Sequence, residues 1–259
     1  MKVVILCGGF GTRLREETEY RPKPMVEIGG RPILWHIMKT YAHHGFCDFV
    51  LCLGYKGAQI KDYFLKYEAM NSDITLRLGG ENPIVYHQQH LEQDFQVTLA
   101  DTGPETMTGG RLKRVARYLN GDDHFMLTYG DGLADINLRA VLDFHKSHGR
   151  LATVTMSKIN NRYGVLEVDD HDHVLKFREK PESDGWISSG FFVFQRSVLD
   201  YLDGDDCVLE RGPLERLSAE GQLVAYRHPG FFCAMDTYRE YLYLNELWTS
   251  GTARWKVWK

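Results

Sequence analysis

The stretch VVILCGGFGTRLREETEYRPKPMVEIGG, residues 3–30, decides how the rest of the chain is read. The run KVVILC (2–7) is short, rich in β-branched residues and almost wholly apolar, which is the pattern of a strand buried on both faces. It ends in Gly8-Gly9-Phe10-Gly11. Three glycines in four residues let the backbone approach a ligand and aim several N–H groups one way, forming an anion nest. Neither common glycine fingerprint fits: Leu14 stands where G-x-G-x-x-G needs its third glycine, and no Gly-Lys-Ser/Thr follows for a Walker loop. Two cations come next. Arg13 offers a planar fork suited to phosphate oxygens. Lys23 lies between Pro22 and Pro24, which favour an extended backbone there and so hold its ammonium in an extended presentation. The expectation is a polyphosphate clamp made of N–H groups, one arginine and one lysine.

Outward from this stretch, the pattern alternates. Pro32 opens PILWHIMKTYAHHG, with apolar positions 33, 34, 37, 38 and 41, predicting a helix with proline at N1 and Gly45 as its stop. DFVLCLGY (48–55) predicts a second buried strand and GAQIKDYFLKY a second helix. HFMLTYGDG (124–132) predicts a third strand, followed by the helix NLRAVLDFHKSHG. Shorter strands (ATVTM, GVLEV, VLKF, SGFFVF) fill 151–195, and YREYLYLNELWTSG returns to helix. Residues 79–95 and 101–110 are polar and rich in turn formers; the second reads as a surface loop whose Gly109-Gly110 leads into the cationic helix start RLKRVARY. This βαβα rhythm predicts an α/β fold with a mixed, mainly parallel central sheet. One domain is expected over 1–259, with 235–259 as a helical tail making a subunit contact.

A second constellation is acidic. Asp131 ends an apolar strand between two glycines, and Asp236 follows another apolar stretch, GFFCAM. A hard divalent cation takes oxygen ligands, commonly one or two carboxylates plus substrate phosphates, so Asp131 and Asp236 are expected to bind Mg²⁺. A third element, FREKPES, holds Lys180 before a proline, and Gly190 in SSGFFVF allows close approach of a ligand to its strand. Taken one at a time, each of these reads equally as a plain turn. Their joint occurrence points to phosphate chemistry.

Bulk properties narrow the classes. The 259 residues carry a formal charge of −4, which argues against wholesale binding to nucleic acid or an anionic membrane. No apolar run reaches the ~20 residues needed to cross a bilayer, and Met1–Cys7 lacks a cleavage site, so no signal peptide is expected. Five cysteines without a C-x-x-C pair fit reduced thiols in a cytoplasmic protein.

The glycine turn with Arg13, the Lys23 loop, Gly130-Asp131-Gly132, Glu179-Lys180-Pro181 and Asp236 occur in the order found in the sugar-1-phosphate nucleotidyltransferases, which the chain resembles along its whole length. KPMVEIGGRPILWHIMKTY, MTGGRLKRVARY and LWTSGTARWKVWK are similar to the branch of that family that uses CTP. The resemblance implies a Rossmann-like fold, a homo-oligomer, and transfer of a cytidylyl group from CTP to a sugar 1-phosphate. α-D-Glucose 1-phosphate is the first expectation; UTP, dTTP or another sugar 1-phosphate is the alternative. It implies that Leu6, Cys7, Gly8, Gly9, Gly11 and Thr12 contact the nucleotide, with Arg13 and Lys23 on its phosphates. It further implies that Thr106, Arg111 and Gly130 meet CTP, while Glu179, Lys180, Ser189 and Gly190 meet the sugar phosphate. Cys7 stands where the family usually has alanine, and Ser188-Ser189-Gly190 where glucose-specific members carry an Asn-Gly-Gly-like sequence. Three other readings fit the residues less well. A non-catalytic regulatory protein of the same fold would have lost charged site residues. Asp170-His171-Asp172 formally matches a glycosyltransferase metal motif but sits between two short strands, as a hairpin turn does. The pairs His87/His90, His145/His148 and His171/His173 lack the paired spacing of a structural zinc site.

Overall fold

A strand that is apolar at every position must be covered on both sides, and the opening strand is. β1 (Lys2–Leu6) sends Val3 and Ile5 into one apolar layer and Val4 and Leu6 into the other. The computed structural model describes residues 1–79, 84–87, 90, 92, 94–160, 165–168, 173–178 and 182–258. After β1 the chain forms α1 (Ile33–His43), β2 (Asp48–Leu53), α2 (Gly57–Leu65), β3 (Gln96–Asp101) and α3 (Thr108–Val115). It continues with β4 (His124–Tyr129), β5 (Gly132–Ala134), α4 (Leu138–His148), β6 (Ala152–Asn160), β7 (Val165–Val168), β8 (Val174–Arg178) and β9 (Glu182–Gln195). The last elements are α5 (Pro213–Ala219), β10 (Leu223–His228), β11 (Phe232–Ala234) and α6 (Tyr238–Thr249).

The central sheet runs β10-β6-β9-β4-β1-β2-β3. Parallel pairs join β1 to β2 and β4, β2 to β3, and β6 to β10, while β9 runs antiparallel to both of its neighbours. The mixed, mainly parallel sheet expected from the sequence is therefore the observed one. Helices α1, α4 and α6 cover one face through Ile33, Leu34, Ile37, Leu138, Val141 and Leu244. Leu112 and Val115 of α3 and Leu217 of α5 cover the other. β1, β2 and β4 lie side by side and parallel, so their carboxyl ends open at one edge, the ordinary ligand position of such sheets.

The structure departs from the sequence reading at several boundaries. Pro32 caps α1 from outside, at φ −53° and ψ 142°, one position earlier than expected; Gly45 does stop it, at φ 81°. β3 was not expected: it lies between the two stretches read as polar and is an edge strand with one neighbour. β10 was missed for the same reason. Gly109 and Gly110 lie inside α3 rather than ahead of it. A side chain on either would collide with the 205–207 loop, whose Cys207 carbonyl accepts the N–H groups of both. The Asp170–Asp172 stretch lies outside the described residues; β7 and β8 on either side of it pair antiparallel. His145 and His148 both turn to the Thr153 hydroxyl.

The tail folds back on its own chain. The Trp255 side chain, expected at a subunit contact, is fully buried against Trp248, Phe231 and His36. Trp258 packs edge-on against Trp35. His36 sits among these rings, with Nε2 2.9 Å from the Ile28 carbonyl and the Trp255 indole N–H donating to its Nδ1 at 3.4 Å. Burial lowers its pKa from 6.5 to about 4, so the folded protein holds the ring neutral. The unfolded chain then binds the extra proton, and the stabilisation is complete above pH 6.5 and lost as pH falls toward about 4. The expected loss is on the order of 3 kcal/mol across that window. Urea midpoints measured from pH 7 to 4.5 should fall less steeply for His36→Gln than for the parent; equal slopes would show that His36 is not responsible.

Candidate active site

The carboxyl ends of the central strands gather the charged residues singled out in the sequence. β5 pairs antiparallel with β11, with Gly132 opposite Ala234, and the Met235 N–H donates to the Asp131 carbonyl at 2.9 Å. Asp131 precedes β5 and Asp236 follows β11, so this register brings two residues far apart in sequence to one place. The lysine reaches the same place by packing. Lys23 opens a short helical turn (Lys23–Met25) entered through Pro22 at φ −66° and ψ 148°. The ring of Pro24 lies so close to Gly130 that a β-carbon there would come within 2.8 Å of it. The next residue along that strand end is Asp131.

Lys23 Nζ donates to Asp131 Oδ2 at 2.6 Å and to Asp236 Oδ1 at 2.7 Å. Arg13 Nη1 donates to the other oxygen of Asp236 at 3.0 Å. The Lys23 side chain is 11% exposed, whereas that of Arg13 is 72% exposed. Burial alone pulls the lysine pKa down, but Asp131 and Asp236 outweigh it and the net shift is upward, so the ammonium stays charged.

The glycine turn is fixed through its carbonyls. Gly8 O accepts from the Tyr55 N–H at 3.2 Å and from Arg111 at 3.1 Å; Gly11 O accepts from the Leu14 N–H and the Thr18 hydroxyl, both at 3.0 Å. In a trans peptide the following N–H points the opposite way, so the Gly9 and Thr12 N–H groups face away from the protein interior. Gly11 adopts φ 65°, and a β-carbon on Gly9 would meet nothing within 4 Å. The open side of the turn is where an anion fits.

Several expected contacts are placed differently from the sequence reading. Arg111 is buried on α3 beneath the turn, its guanidinium donating to Leu53 O, Thr102 Oγ1, Gly103 O, Gly8 O and Pro104 O. Those five acceptors occupy its terminal nitrogens, so it staples the ends of β1, β2 and β3 rather than projecting toward a ligand. The Leu6 and Cys7 side chains lie in the core, which leaves only their backbone to face the site. Ser189 is buried and donates to Thr155 O at 3.0 Å, so its hydroxyl is spent within the sheet. Gly190 sits at φ 77° where β9 bulges against β6, and the Tyr129 ring takes the space of its missing side chain. Thr106 is buried beside Gly103, Thr12 is exposed, and Glu179, Lys180 and Pro181 lie outside the described residues.

The sequence did not point to Tyr129, Glu210 or Thr108. The Tyr129 hydroxyl donates to Glu210, which also accepts from the Thr108 hydroxyl at 2.7 Å. A tyrosine closing an apolar strand reads as core, and no spacing signal links it to residue 210. Nor did the sequence show that Pro24 seats Lys23.

The two carboxylates suit a divalent cation. The lysine ammonium already holds one oxygen of each within hydrogen-bond reach, as a bridging cation would need. Among the described residues no third His, Cys, Asp or Glu joins them, so phosphate and water oxygens would complete the shell.

The sequence profile of the nucleotidyl transferase family matches residues 2–235. The glucose-1-phosphate cytidylyltransferase of Salmonella typhi is 51% identical over 260 residues, covering 100% of both chains. A probable glucose-1-phosphate cytidylyltransferase of Bacillus subtilis is 45% identical over 259 residues, again covering 100% of both. Among solved structures, HddC from Yersinia pseudotuberculosis superposes with a TM-score of 0.70 at 23% identity, covering 95% of this chain and 99% of that one. At that identity the likeness supports the fold.

The two adjacent glycines of the turn should behave differently. A β-carbon on Gly8 would lie 2.1 Å from the Arg111 guanidinium, so Gly8→Ala must push a buried charge off its acceptors. A stability loss of roughly 2 kcal/mol or more is expected in urea unfolding. Gly9→Ala has open space and should fold normally, yet weaken binding of a nucleoside triphosphate measured by calorimetry.

Proposed function

Because this chain belongs to the nucleotidyl transferase family, we propose that it transfers a cytidylyl group from CTP to α-D-glucose 1-phosphate, releasing pyrophosphate and CDP-glucose. The observation that carries this reading is 51% identity over the full length of a relative so named. The site geometry supplies the chemistry.

The nucleophile is a phosphate oxygen of the sugar 1-phosphate, already anionic near neutral pH. It attacks the α-phosphorus in line with the departing pyrophosphate, so no strong general base is needed. Catalysis reduces to positioning and charge neutralisation. The Gly9 and Thr12 N–H groups and Arg13 hold the phosphates that leave. Lys23 offsets charge near the α-phosphate. Lys180, with Glu179, takes the sugar phosphate, and the Gly190 backbone borders it. Arg111 adds positive potential from beneath the turn and fixes its shape. Asp131 and Asp236 hold a divalent cation, which we infer to be Mg²⁺; when bound, it screens the charge of the phosphates.

The wider setting is inferred in the same way. Five cysteines that form no disulfide fit a reducing, cytoplasmic compartment. Among the described residues no helix is long and apolar enough to cross a membrane. Exposed apolar residues such as Leu65, Met70, Leu78 and Tyr86, crowded into one stretch, fit a homo-oligomer with a contact there. No role for nucleic acid or a membrane is proposed.

Pyrophosphate release with CTP, UTP, dTTP and GTP against several sugar 1-phosphates and Mg²⁺ tests the reading. CTP with glucose 1-phosphate should give the highest kcat/KM; a preference for another base would overturn it. Asp131→Ala should abolish turnover in a folded protein, and Lys23→Ala should lower kcat by on the order of 100-fold. Near-parent rates in either would remove that residue from the mechanism.

A further inference from the structure

Two carboxylates share one ammonium in this structure. Asp131 and Asp236 each place an oxygen within 2.7 Å of Lys23 Nζ, in a position where the lysine side chain is 11% exposed. A divalent cation bridging the same carboxylates would sit where the ammonium sits. Two positive charges cannot share that space, since like charges a few ångströms apart repel strongly where water is scarce. Resting on the reading of Asp131 and Asp236 as metal ligands, we propose that Lys23 is the resident counter-ion of that site. Its ammonium keeps the carboxylates together in the nucleotide-free protein and yields its place to the metal that arrives with the nucleotide.

The local construction suits an exchange. Pro22 and the contact of Pro24 with Gly130 fix the lysine backbone, so only side-chain torsions need change. A lysine carries a compact charge on a flexible stem, unlike the rigid fork of an arginine. Arg13, tied at 3.0 Å to the second oxygen of Asp236, is released by the same event because its side chain is largely exposed. A polyphosphate supplies new partners for both cations. Metal and nucleotide therefore favour each other's binding, each by the same factor. Metal alone must displace the ammonium with nothing offered in return, and binds weakly.

The test needs no turnover. Mn²⁺ binding is followed by electron paramagnetic resonance, without nucleotide and then with CTP, in the parent, Asp131→Asn, Lys23→Met and the double variant Lys23→Met/Asp131→Asn. Folding is checked by circular dichroism, and Lys23→Gln replaces Lys23→Met should the latter not fold. Removing the ammonium should tighten Mn²⁺ binding by on the order of 10-fold or more, and the Asp131→Asn change should abolish the gain. Equal Mn²⁺ affinities in parent and Lys23→Met, both lost on Asp131→Asn, would overturn the counter-ion role while leaving the metal ligands in place. Mn²⁺ binding that no Asp131 change affects, with or without CTP, would overturn both.

Discussion

Two carboxylates that the fold drives to one point need a cation between them. The pairing of β5 with β11 drives Asp131 and Asp236 together, and the Lys23 ammonium meets that need. Neither acid chose its place by local preference: Asp131 sits at the end of a sheet strand, and Asp236 at the end of a strand paired to the next short one. Without a positive charge, bringing them together would cost repulsion and desolvation. The lysine turns a costly approach into a bonded centre. The rest of the site is arranged around that centre.

Arg111 does for the glycine turn what Lys23 does for the acids. Its guanidinium gathers carbonyls from Leu53, Gly8, Gly103 and Pro104, sharing those of Leu53 and Gly8 with the Thr102 and Tyr55 N–H groups. The exchange shapes the turn: carbonyls face inward to the arginine, and the N–H groups that follow them face out. Gly8 and Gly54 are glycines for the sake of this buried cation, because a β-carbon on either would strike it. Glycine-rich turns are usually credited to the ligand. Here the protein itself demands glycine at position 8, whereas at position 9 the space is open.

The sequence revealed most where one physical cause dominated. A strand buried on both faces is apolar throughout, so β1, β2 and β4 were legible from Val3, Val50 and Leu127 and their neighbours. The αL glycines at 45 and 149 mark helix ends because few other residues tolerate that backbone. Legibility failed where the cause was tertiary. Gly109-Gly110 look like a loop, and only the approach of the 205–207 loop explains them inside a helix. Ser189 looks exposed to a ligand, but its hydroxyl goes to Thr155, and the Tyr129 ring fills the side-chain space beside Gly190. The convergence of Lys23, Asp131 and Asp236 was inferred from chemistry; its register, Gly132 opposite Ala234, is a pairing that no local spacing encodes.

Charge balance links these features to the reaction. In the structure the two acids are matched by Lys23 and Arg13, so the centre itself is close to neutral, with Arg111 buried beneath. A near-neutral centre attracts a bare triphosphate poorly and a bare metal ion poorly. On the proposed exchange the two together change the account: the metal would satisfy the acids, and the phosphates would satisfy the released cations. Every charge then has a partner at the moment the sugar phosphate, a further anion, must approach the α-phosphorus. An enzyme that joins two anions gains from a site whose cations are freed only in the presence of its first substrate, because a permanently cationic pocket would hold any passing phosphate.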